Sequence, residues 1–355
     1  CAAMSVAEQR QRRASSDSFE PREHPKHIPV ATLPLLHRVV AKLVVLLSGP
    51  LSAKEEPRLV SIFGCPFSEK VRWVLDVEGK MYTEDVHAPV IHAFFTSRLS
   101  GDTTSTTPML LVSNSQEVVV GSSTILRHLN KSGVEWLYPE TCREEIEELE
   151  ELFDGLGAHT RAWMYNEAVS NAALCKSSWS RHCALIERII LRFCFPLLPS
   201  IIVKALNIRP EALGTYVTHC ERSFDKVESL LSDGRKFLVG GRFTAADVAF
   251  AASVSPLIAP PQLETLSHAE TELSSKFRSQ MTRFRERPAG QFALRMYAEH
   301  RIPASYHAAS VTPRYRHRSE LFILAMLGVL IAIAVMSLRR GGTPQQQFWT
   351  SLPFQ

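Results

Sequence analysis

Between residues 58 and 129 the sequence alternates short β-rich runs with amphipathic helical runs, and after Tyr138-Pro139 the β-rich runs stop. The first stretch reads as strand RLVSIFG, helix SEKVRWVLDVEG, strand MYTEDVH, helix APVIHAFFTSRL, strands PMLLVS and EVVVG, and helix STILRHL. Strands alternating with helices and ending in a hairpin specify a small mixed sheet with helices packed on it. Beyond it, Ile146, Leu149, Leu152, Phe153 and Leu156 recur at helical spacing beside the acidic run 144–151. An all-helical second domain is expected, with that acidic face solvated. The sequence divides into a leader (1–57), a mixed α/β domain (58–131), a linker (132–141) and a helical domain (142–308).

Both ends differ in composition from these domains. Residues 1–27 are polar and rich in arginine (Arg10, Arg12, Arg13, Arg22), too poor in apolar side chains to form a core, so disorder is expected. The chain begins at Cys1 rather than Met, so no targeting signal is read there. Residues 28–51 are apolar but broken by Pro29, Pro34, His37, Arg38 and Lys42, which suits an amphipathic helix on a membrane or on the protein itself. The run 321–338, LFILAMLGVLIAIAVMSL, carries no charge and is flanked by Arg314, Arg316 and Arg318 on one side and Arg339 and Arg340 on the other. Its length and basic flanks predict a single transmembrane helix over 319–339, followed by a short tail (340–355). Such a C-terminal anchor would leave the folded domains in the cytosol, on the mitochondrial outer membrane or the endoplasmic reticulum.

Basic residues sit mainly at the two ends and the net charge is only +4, which argues against nucleic-acid binding. The seven cysteines are odd in number, irregularly spaced and without a paired metal-ligand pattern. That usage fits a reducing compartment, with neither a disulfide framework nor a metal site.

One cysteine stands apart. In Cys65-Pro66-Phe67-Ser68 the thiol falls where an apolar strand meets a helix read as 68–78, with proline suited to the first helical turn. Helix N-termini present unpaired N–H groups and the positive dipole end, which favour an anionic sulfur. Cys65 is therefore a candidate nucleophile, and Ser68 in place of a second cysteine excludes an internal disulfide. Further along, Phe243-Thr244-Ala245-Ala246-Asp247-Val248 reads as a capping box with a hydrophobic staple, a folding element rather than a catalytic one. Trp163, Met164, Tyr165 and Trp179 stand at helical spacing and read as core or as the lining of a substrate pocket.

Taken together, the chain resembles a cysteine-type glutathione transferase of the cytosolic superfamily over 58–301. The resemblance is carried by Cys65-Pro66-Phe67-Ser68 with Val71-Arg72-Trp73, by Thr107-Pro108-Met109-Leu110, by Gly121-Ser122-Ser123-Thr124-Ile125, and by the capping box after Phe237-Leu238-Val239-Gly240. Pro288-Ala289-Gly290 followed by Phe292, Leu294 and Tyr297 is similar to the C-terminal end of bacterial-type members. The resemblance implies an α/β thioredoxin-like domain followed by an all-α domain, the glutathione transferase fold, with a homodimer as a family expectation. It implies glutathione as co-substrate, a cis-Pro108, the Thr107 backbone beside the cysteinyl part, Ser122 at the γ-glutamyl carboxylate, and Phe67 and Ser123 as further glutathione-binding residues. Ser122 also reads as an ordinary helix N-cap. The acidic or amide residue that usually precedes that serine is Gly121 here, and the glycyl carboxylate has no single partner among Lys80, His87, His92 and Arg98.

Cysteine in place of the tyrosine or serine of conjugating classes shifts the expected chemistry toward thiol transfer, as in dehydroascorbate reductases. Cys65 would form a mixed disulfide with glutathione that a second glutathione resolves, with a small apolar, disulfide or oxidised acceptor. Two alternatives remain open at this level: a tail-anchored adaptor that keeps the fold without turnover, and a conjugating transferase acting on electrophiles.

Overall fold

The structure, a computed structural model, describes residues 56–301 except 102–103, 105, 116, 169–170, 172–178, 180–181, 195–197, 207, 264–269 and 271. The expected leader helix, the 319–339 span and the tail therefore lie outside the described residues. Among the described residues no helix is long and apolar enough to cross a membrane.

The first domain runs β1 (Arg58–Ser61), α1 (Pro66–Val77), β2 (Thr83–Val86), α2 (His92–Leu99), β3 (Met109–Leu111), β4 (Val118–Val120) and α3 (Ser122–Lys131). The sheet order is β2-β1-β3-β4, with β1 and β2 parallel and the other pairs antiparallel. Alternate residues face opposite sides. Leu59, Leu110 and Val119 join Val71, Val74 and Leu75 of α1 and Ile125 and Leu126 of α3 in the main core, whereas Val60, Met109 and Leu111 pack with Leu99 of α2 behind the sheet. Both faces are covered, which is why all four residues of β1 are buried.

Several boundaries differ from the sequence reading, two of them at helix starts next to the site. Helix α1 begins at Pro66 rather than Ser68, because proline's fixed φ and missing N–H suit the first helical position. Helix α2 begins at His92, after Val90 takes a positive φ of 73° that interrupts the helical register.

The second domain contains α4 (Arg143–Ala168), α5 (Leu185–Cys194), α6 (Leu198–Ala205), α7 (Leu213–Leu231), α8 (Ala245–Ile258), α9 (Ser275–Glu286) and α10 (Pro288–His300). All fourteen residues of α8 are buried, and the helix packs on α1, α4, α9 and α10. The connection 132–141 is itself packed, with Leu137 and Tyr138 inside the core. Trp73 of α1 contacts Tyr297 at 4.4 Å between ring centroids, and its Nε1 donates to the His300 carbonyl at 3.0 Å. Arg301 then binds Glu69 and Asp76 of α1, so the end of the helical domain is pinned to the first domain.

Candidate active site

Cys65 is the N-cap of α1, in extended conformation, and its side chain is buried. Its N–H donates to the Ile62 carbonyl and its own carbonyl accepts from the Glu69 N–H, so the backbone fixes the sulfur's carrier at the helix start. Ser68, one turn on, has a buried hydroxyl that makes no hydrogen bond to the described residues. Burial pushes the thiols of Cys183 and Cys220 well up, with Glu187 and Glu221 adding to it, which leaves both inert.

The other expected residues gather around the sheet end that carries Cys65. Thr107–Pro108 is cis, and the Pro108 carbonyl accepts from the Gly121 N–H at 3.0 Å, joining that loop to the start of α3. Gly121, not Ser122, is the N-cap of α3, and no side chain caps it. Ser122 is thus the first helical residue, buried, and the ordinary-cap reading of it fails because the glycine already occupies the cap position. Gly121 has φ of 88°, in the region that L side chains rarely adopt, so an acidic residue there would strain the backbone.

Ser123 is committed differently. Its hydroxyl donates to Asp154 Oδ2 at 2.5 Å and accepts from Lys70 Nζ at 2.9 Å. Lys70 also donates to Glu150 at 3.0 Å and Asp154 at 2.6 Å, while the Tyr138 hydroxyl donates to the other Glu150 oxygen at 2.8 Å. Burial alone would lower the Lys70 ammonium, yet Asp154 and Glu150 more than offset it and the group is raised. Burial, then the Glu150 charge, pushes the Tyr138 phenol well up, so it stays a donor. The acidic run on α4 is therefore not uniformly solvated: Glu150 is fully buried because it faces Lys70 across the domain boundary. The signal for it was present, since 146, 150, 153 and 157 fall on one helical face.

Phe67 and Gly157 meet where α1 crosses α4. A Cβ on Gly157 would stand 3.2 Å from the Phe67 ring and 3.1 Å from Ser253 Oγ, so glycine is what lets the two elements approach. The Arg161 guanidinium lies over that ring, 5.3 Å from its centroid. Two residues before Cys65, the Phe63 ring packs on the His182 ring at 4.5 Å.

Of the candidates for the glycyl carboxylate, His87 is taken. Its Nδ1 lies 2.7 Å from Glu187 Oε1 while Glu187 Oε2 accepts from the Ala88 N–H at 2.7 Å, and its ring stacks on Phe95 at 4.0 Å. Burial alone lowers the imidazole, but the Glu187 carboxylate outweighs it and the group is raised. Lys70, Asp154, Arg161 and Glu187 were not singled out from sequence, because each matters through a residue more than 80 positions away or on another helix. Trp163, Tyr165 and Trp179 are buried in the main core, as the core reading of them requires. No group of three or more potential metal ligands is assembled among the described residues.

Residues 205–278 match the family described as glutathione S-transferase, C-terminal domain. The helical half is similar to that domain. With the mixed sheet in front of it, the element order is that of the glutathione-transferase fold. No curated protein matches the chain. Among solved structures it is similar to glutathione transferase GSTFuA3 from Phanerochaete chrysosporium, at 17% identity over 70% of this chain and 98% of that one, TM-score 0.49. Another is a glutathione S-transferase of Ceriporiopsis subvermispora in complex with glutathione, at 14% identity over 73% and 100%, TM-score 0.46. A third is a glutathione S-transferase from Methylobacterium radiotolerans in complex with glutathione sulfonate, at 20% identity over 68% and 95%, TM-score 0.41.

Proposed function

We propose that the chain is a membrane-anchored, glutathione-dependent thiol transferase acting through Cys65. The observation that carries this reading is Cys65 as the N-cap of α1, at the positive end of the helix dipole. Glutathione is held with its γ-glutamyl carboxylate at the start of α3, by the Ser122 hydroxyl and the N–H groups of Ser122 and Ser123, since a helix N-terminus is an anion site. The backbone of Thr107, before cis-Pro108, pairs with its cysteinyl part, and Phe67 closes the side toward α4. The match of the helical half to a glutathione transferase domain supports glutathione as the ligand.

In the reaction the Cys65 thiolate attacks a glutathionyl disulfide, forming a Cys65–glutathione disulfide and releasing the acceptor as a thiolate that takes up a proton. A second glutathione thiolate attacks the glutathionyl sulfur, giving oxidised glutathione and regenerating the Cys65 thiolate. With Cys65→Ser, glutathione-dependent reduction of 2-hydroxyethyl disulfide is expected to drop to the uncatalysed rate. Intact mass after exposure to oxidised glutathione should show one glutathionyl adduct fewer than in the parent protein. An unchanged rate would overturn the mechanism.

A non-catalytic adaptor is the second reading, favoured by Gly121, which offers glutathione no side chain, and by His182 packed on Phe63 beside Cys65. It requires that calorimetry detect no glutathione binding. The uncharged run 321–338 between arginines supports anchorage in the mitochondrial outer membrane or endoplasmic reticulum. A fluorescently tagged chain lacking 319–355 is expected to become diffuse; a retained membrane pattern would rule the anchor out.

A further inference from the structure

The basic side chains buried between the two domains are matched with carboxylates, apart from one that is only half-buried. Lys70 meets Glu150 and Asp154, Arg72 meets Glu84 and Glu69, and Arg301 meets Glu69 and Asp76. Arg161 has no ion-pair partner among the described residues, and its guanidinium rests on the Phe67 ring. A half-buried guanidinium without a carboxylate partner keeps five N–H donors available in a planar fork that matches carboxylate geometry.

Its position follows from the crossing of α1 and α4. Moving along α4, Glu150 and Asp154 meet Lys70 in the second turn of α1, and Gly157 and Arg161 meet Phe67 in its first turn. The two helices run in opposite senses here, so each step up α4 approaches the N-terminus of α1. Arg161 is the side chain on this stripe that lies level with the start of α1, and the residue at that start is Cys65. Stacking on Phe67 holds the guanidinium in place without consuming its donors. The positive end of α1 and the Arg161 charge then act together on whatever approaches the sulfur.

We propose that Arg161 selects the acceptor: the disulfide that Cys65 attacks carries a carboxylate on the group that leaves, and Arg161 binds that carboxylate. This deepens the thiol-transfer reading and rests on it for turnover, although the preference of Cys65 for anionic disulfides does not require turnover.

The test uses the full chain and two readouts. In the first, glutathione-dependent reduction is compared for dianionic 3,3′-dithiodipropionate, neutral 2-hydroxyethyl disulfide and dicationic cystamine. Wild type is expected to prefer them in that order, and Arg161→Gln is expected to lower the dianionic-to-neutral ratio of kcat/KM about tenfold or more, chiefly through KM, as for loss of a charge-assisted hydrogen bond. Arg161→Lys should recover part of that ratio, and added salt should reduce it. In the second, Cys65 is modified without glutathione by dianionic 5,5′-dithiobis(2-nitrobenzoate) or neutral 4,4′-dithiodipyridine, with Cys65→Ser giving the background from other thiols. Each modification forms one Cys65 disulfide and releases one aryl thiolate. A ratio unaltered by Arg161→Gln, or equal losses for all reagents, overturns the proposal. Absence of turnover with an Arg161-dependent modification ratio leaves the selectivity standing and removes the enzyme reading instead.

Discussion

Lys70 ties α1, α3 and α4 together from a position that is 1% exposed. Lys70→Met would leave the buried Glu150 carboxylate and the partly buried Asp154 carboxylate without their cation. Breaking a buried pair from one side costs about 3–5 kcal/mol, so the urea midpoint should drop steeply, and adding Glu150→Gln should restore part of it. A single mutant as stable as the parent would mean the cluster is solvated after all. The geometry gives Ser122 and Ser123 different parts although they are adjacent. Ser123 is spent on Asp154 and Lys70, whereas the hydroxyl of Ser122, at the first helical position, makes no side-chain hydrogen bond among the described residues. Gly121 completes the turn into that helix at φ of 88°, a backbone conformation that disfavours any side chain there.

At the scale of elements, α8 depends on its start. Asp247 accepts from the Leu238 N–H at 2.9 Å and the Thr244 N–H at 2.8 Å, and from the Thr244 hydroxyl at 3.1 Å, so one carboxylate fixes both the helix cap and the loop before it. Asp247→Ala leaves those buried donors without an acceptor and should cost about 2–4 kcal/mol in chemical unfolding. Burial pushes this carboxyl up to about 6, with the N–H bonds from Leu238 and Thr244 pulling it back. The folded state therefore holds this proton more tightly than the unfolded chain, whose carboxyl titrates at 3.8. Stability from this group is greatest below about 4 and declines as pH rises through about 6. In Asp247→Asn that decline should vanish; an identical pH slope in mutant and parent would refute it. Helix α10 has its own constraint, since a Cβ on Gly290 would overlap the Phe284 carbonyl oxygen, so the close turn from α9 admits only glycine.

Across the described residues, the two domains are held by buried ion pairs as well as by apolar packing, and the His87–Glu187 pair among them responds to pH near neutrality. The imidazole faces Glu187 from α5, with Asp85 and Arg58 of the sheet nearby and Phe95 of α2 against its ring. Its folded value lies above the ordinary 6.5, so the stabilisation is fully present below about 6.5 and is lost as pH rises through the folded value. The stability difference between the parent and His87→Gln should narrow as pH rises from 6 to 9, measured by unfolding midpoints; a constant difference would exclude a charged pair. Local sequence determined a good deal: the strand and helix order, Pro66 opening α1, the turn glycine at 121 and the capping box at Thr244 all act through neighbours a few residues apart. What only the tertiary structure decided is which charges meet. The acids of α4 and α5 read as ordinary helix surface until the fold brings Glu150 to Lys70 and Glu187 to His87, because burial and pairing across 80 and 100 positions depend on how the two domains pack and leave no local pattern.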